Sequence, residues 1–170
     1  MKTKMITLFL VLGSWGAFAQ HDHTGHDDQK KMDQSMVMFK DAKLGAAYEH
    51  YIHLKDALVA SKSDEAKKGA NELQTALKDV NGSAAAIEAV SKLANASALK
   101  EQRKLFSTLS NEMAALVKGG KLSMGMLYLE YCPMANENTG AYWLSNEKEI
   151  KNPYFGDKML KCGSVKEMIH

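Results

Sequence analysis

The sequence predicts an all-α fold: an up-and-down bundle of four helices followed by a loop-rich C-terminal segment with room for a short hairpin. Apolar residues recur at alternating spacings of three and four between about Met36 and Gly120, and short capping and turn signals break that run into four pieces. After Gly120 the helical period is lost.

Leu44, Ala47, Tyr51, Leu54 and Leu58 form the stripe of a first helix reaching about Lys62. Ser63 is placed to cap a second helix, with Asp64 and Glu65 favourable against its dipole and Ala66, Ala70, Leu73, Leu77 and Val80 facing inward. Asn81-Gly82 tolerates the left-handed conformation that ends a helix. Ser83 opens a shorter helix with Ile87, Val90 and Leu93. Ser97 opens a fourth, with Leu105, Phe106, Leu109, Met113 and Leu116 inward and Gly119-Gly120 as its stop. Short turns between amphipathic helices make sequence neighbours antiparallel, which gives the bundle. Beyond it, "LYLEY" alternates in polarity as a short strand does, and Pro133, Gly140, Asn152-Pro153 and Gly156 punctuate the rest.

The N-terminus reads as an export signal. Lys2 and Lys4 precede a short apolar run, and Ala17-Phe18-Ala19 supplies small residues for cleavage before Gln20, which points to the periplasm. The expected organisation is a signal peptide over 1–19, a polar histidine-bearing tail over 20–35, helices over 36–120 and a Cys/Met-containing segment over 121–170 packed on them. Removing two lysines and no acid turns 22 basic against 20 acidic residues into a chain without net charge. That argues against nucleic acid, which needs a concentrated basic excess. No later segment is apolar enough to insert into a membrane.

Both cysteines lie in the last forty residues, each beside a methionine: Cys132-Pro133-Met134 and Met159-Leu160-Lys161-Cys162. Thiolate and thioether are soft donors, and softness selects monovalent copper or silver over zinc or calcium. The i, i+3 spacing would put Met159 and Cys162 on one side of a helical turn. The same two cysteines in an oxidising compartment also suit a disulfide, so spacing leaves both readings open. Nine methionines follow the signal, several in close pairs such as Met36 with Met38 and Met124 with Met126, which adds weight to the metal. His50 and His53 on the first helix are auxiliary candidates, as are His21, His23 and His26 in the tail. Trp143 is placed either to stack on a cation or to anchor the tail to the helices. No nucleophile elbow, phosphate loop, paired-histidine zinc motif or haem-attachment motif occurs, so the expectation is a binding protein and not an enzyme.

The stretches "YCPMA", "GAYWLS", "EIKNPYFG" and "KMLKCG", in that order, resemble the signature of an exported helical domain family of unknown function. Members of that family also form the C-terminal domain of some periplasmic adaptors of copper and silver efflux pumps. The resemblance runs from about Val37 to the C-terminus and implies a copper site at Cys132, Met134, Met159 and Cys162, with a pump adaptor as possible partner. Family members often carry histidine just before the first cysteine, where this chain has Tyr131.

Overall fold

A computed structural model describes residues 36–170. The expected signal over 1–19 and the tail over 20–35, with His21, His23 and His26, lie outside the described residues.

The four helices occupy the periodic stretches: α1 (Ala42–Val59), α2 (Ser63–Leu77), α3 (Ala84–Asn95) and α4 (Leu99–Gly120). On α1 the stripe Leu44, Ala47, Tyr51, Leu54 and Leu58 is buried, as periodicity requires. Each helix packs on its sequence neighbour, and α1 also meets α4. The α1–α2 contact is close because Gly69 faces Leu54: a Cβ there would lie 3.2 Å from the Leu54 Cα. Phe106, Leu109, Met113 and Val117 of α4 close the helical core.

The serines expected to cap helices act otherwise. Ser63 is the first residue of α2, and its hydroxyl donates across to the Ser97 carbonyl and the Gln102 side chain. Ser83 precedes α3, but its buried hydroxyl donates backward to the Leu77 and Val80 carbonyls. Those bonds tie the turn after α2 together, adding a second donor to the Leu77 carbonyl, which also accepts from the Val80 N–H. Asp41, by contrast, caps α1 by accepting from the Lys43 N–H at 2.9 Å.

The all-α expectation is wrong: the described chain is a mixed fold of helices and two antiparallel sheets. A two-stranded ribbon joins β1 (Met38–Phe39) to β2 (Leu122–Met124). A three-stranded sheet has β3 (Leu127–Cys132) between β4 (Ala141–Ser145) and β5 (Ser164–Ile169). The fifth helix, α5 (Ala135–Asn138), is a single turn between β3 and β4. "LYLEY" is therefore a strand, though a central one, with β4 packed against α4. The remaining strands escape a local reading for a physical reason. β5, "SVKEMI", is mostly exposed and carries no apolar run, so it is a strand only because β3 offers it a hydrogen-bonding edge.

Buried hydrogen bonds weld the sheet to the helices. The Tyr51 hydroxyl lies 2.8 Å from the Ser110 hydroxyl and accepts from the Leu144 N–H at 3.0 Å, joining α1, α4 and β4. Arg103 of α4 donates to the Pro153, Leu58 and Ser61 oxygens, fastening the segment after β4 to the end of α1. No helix among the described residues is long and apolar enough to cross a membrane.

Candidate functional site

The two cysteines meet. Cys132 ends β3 and is fully buried; Cys162, half-buried, lies just before β5; their sulfur atoms are 2.7 Å apart and both are free thiols. The β3–β5 pairing of Tyr131 with Ser164 brings the second cysteine back beside the first. Asn152, wholly buried, sets the approach. Its side-chain amide donates to the Cys162 carbonyl at 2.7 Å and its N–H donates to the Leu160 carbonyl at 2.8 Å, while its Oδ1 accepts from the Tyr154 N–H. Gly163 has φ +148°, and a Cβ there would lie 2.8 Å from the Trp143 ring, so the residue after Cys162 must be small.

Contact with Cys132 shapes the acidity of Cys162. The Cys162 thiol is pushed up to about 11, chiefly by its hydrogen bond to Cys132 and then by burial and the charge Cys132 would carry. Sharing a site makes it hard for both sulfurs to ionise unless a cation neutralises them.

The two neighbouring methionines share a cavity. Met134, exposed, and Met159, half-exposed, both line a cavity of about 660 Å³, together with Leu99, Tyr154, Phe155 and four basic residues. Neither cysteine lines it. Tyr154, which does, is also an electrostatic neighbour of Cys132, and burial above all raises its hydroxyl well beyond the ordinary range. Met159 and Cys162 share a turn in which the Cys162 N–H donates to the Met159 carbonyl, outside any α-helix. After Met134, Asn136, Glu137 and Asn138 hold left-handed backbone with φ of 49°, 60° and 68°, a run of strain beside the sulfur donors.

His50 and His53 face α2, where the Nδ1 of each is 3.5 Å from the same Glu72 oxygen. These half-exposed contacts contribute little to stability. Among the described residues no three histidine, cysteine or carboxylate side chains form a set that could hold an ion. Trp143 is wholly buried edge-on to Tyr154, at 5.9 Å between centroids, and so anchors the segment.

Sequence reasoning missed Asn152, whose Asn-Pro context reads as a turn, and Glu130. That carboxylate is fully buried on β3 opposite Trp143, with neither oxygen hydrogen-bonded. Burial raises its pKa to about 8, against a smaller lowering by buried Lys55. The Trp143 N–H is near enough to favour the charged form but is not placed for a hydrogen bond. The available signal was a charge in the middle of "LYLEY".

Residues 47–125 match the family described as "Protein of unknown function (DUF3347)". The match covers most of the helical part and ends before Cys132. No curated protein and no solved structure matches the chain.

Proposed function

We propose that this protein is an exported soft-metal-binding domain that takes up monovalent copper, as cargo, through Cys132 and Cys162. One observation carries the reading: two free thiols from segments thirty residues apart converge at 2.7 Å, each beside a methionine of a shared cavity. The donors fit the ion by softness, since thiolates bind it strongly and thioethers add neutral donors that need no deprotonation. A bound cation favours the thiolate of Cys162, against the hydrogen bond to Cys132, the burial and the neighbouring charge that raise its pKa. An ion held between the two sulfurs requires the pair to open from its present contact. Asn152 holds the Cys162 backbone while it does so. Met134 and Met159 are auxiliary donors, and the tail histidines His21, His23 and His26 a lower-affinity collector. The resemblance of the C-terminal stretch to the end domain of copper and silver efflux adaptors supports this reading and suggests an adaptor as recipient.

Titration of reduced, metal-free protein with Cu(I) against a chromophoric chelator tests it. Cys132→Ser should weaken competition at least about tenfold; an unchanged titration rejects the site.

The short sulfur contact also favours a second reading, a Cys132–Cys162 disulfide that staples a helical interaction module. Closing a loop of about thirty residues stabilises by roughly 3 to 4 kcal/mol in the chain-entropy picture. Protein isolated two hydrogens lighter, taking up no copper after mild reduction, decides for the staple.

A further inference from the structure

A second set of sulfurs lies elsewhere in the fold. The sequence holds two Met-x-Met pairs, Met36 with Met38 and Met124 with Met126, far apart along the chain. The β1–β2 ribbon brings them together: Met38 is the direct cross-strand partner of Met124. Residues opposite one another in an antiparallel pair share a face, with Cβ atoms roughly 5 Å apart. A bulge separates them from the neighbouring pair, Phe39 and Leu122, which is buried while the two methionines are exposed.

Their exposure is unusual for large apolar side chains: 53% for Met36, 48% for Met38 and 53% for Met124, with Met126 half-buried. A gap-filling core role, as for Met113, does not account for them. Gly125 holds the two pairs close. It has φ +85°, and a Cβ there would lie 2.3 Å from the Met36 carbonyl oxygen, so only glycine permits this approach.

A thioether is neutral at every pH and soft, and methionines gathered on one water-facing surface suit an ion that wants sulfur without competing protons. We infer that Met36, Met38, Met124 and Met126 form a thioether site for a monovalent soft cation, Cu(I) or Ag(I), on the β1–β2 ribbon. It shares the class of ion with the function proposed above and none of its ligands. An all-thioether site holds such an ion more weakly than a thiolate pair does, which suits capture and release.

The test uses silver nitrate and the full chain carrying Cys132→Ser and Cys162→Ser, with methionine methyls labelled with 13C. The Met36, Met38, Met124 and Met126 methyl signals should shift together and saturate near one equivalent, while Met134, comparably exposed but beyond the opposite end of β3, stays in place. Met38→Leu with Met124→Leu, at the surface and close in volume, should weaken silver binding at least about tenfold with unchanged circular dichroism. Equal shifts at Met134, shifts confined to Met134 and Met159, or silver affinity unaffected by the leucines would each overturn the site. Because the cysteines are absent, failure here leaves the dithiol reading standing, and failure of the dithiol titration leaves this one standing.

Discussion

The helices and the C-terminal segment are built on opposite economies of polarity. Between α1 and α4 the buried side chains are mostly leucine, alanine, valine and aromatic rings, and the polar exceptions are partnered: Ser83, Gln102 and Ser110 by hydrogen bonds and Lys55 by Asp56. The segment from β3 onward buries Glu130, Asn152, a free thiol and the Trp143 N–H within a few residues of one another in the fold. An apolar core is tolerant of composition, whereas buried polar groups cost free energy unless each is placed against a partner. The first region therefore supplies a stable platform. The second is ordered by a small number of ties, and those ties set the geometry of the thiols.

The strongest way to break that contrast is to remove the anchor. Trp143→Ala empties a wholly buried site against Tyr154 and Gly163 and should cost about 3 to 5 kcal/mol in urea unfolding. The loss should include the thiol contact, so reduced protein should form its disulfide more slowly under a fixed oxidant. Unaltered oxidation would mean that the thiols are placed by the β3–β5 pairing alone. A milder cut severs the weld between the regions. Tyr51→Phe leaves the Leu144 N–H and the Ser110 hydroxyl without their buried partner, at a cost of about 1 to 3 kcal/mol by thermal or chemical unfolding. No change in stability would show that water replaces the hydroxyl.

The smallest expected effect is on pH dependence. Glu130 has its pKa raised from 4.5 to about 8, so the native state holds a proton that the unfolded chain has released between those values. The stabilisation is complete below about pH 4.5 and is lost as pH rises toward 8, where burying the charged carboxylate becomes the penalty. Glu130→Gln should flatten this part of the stability profile of the reduced, metal-free protein. A slope unchanged by the substitution assigns it to other groups.

Much of the helical half was legible because its signal is local. Leu44, Tyr51, Leu54 and Leu58 declare a helix face whatever they pack against, and each is buried in α1. The capping serines were legible as helix-end residues but not in their roles, because a hydroxyl near a helix end has several acceptors within reach and only the fold chooses among them. The sulfur donors were legible as donors. Their grouping was not: the structure sets the thiols against each other and the two methionines of that segment into one cavity, where spacing had suggested Cys–Met pairs.

Local spacing in the chain was thus enough to place the helices, to mark "LYLEY" as a strand and to single out the cysteines and methionine pairs. It needed no partner, since a 3.6-residue period is a property of one segment. The three-stranded sheet, the meeting of Cys132 with Cys162 and the joining of Met38 to Met124 came only with the tertiary structure. Each depends on which distant edge a strand finds, and β5 in particular is a strand by virtue of β3. Pairing of that kind is set by register and burial across the whole fold, which no window of the sequence contains.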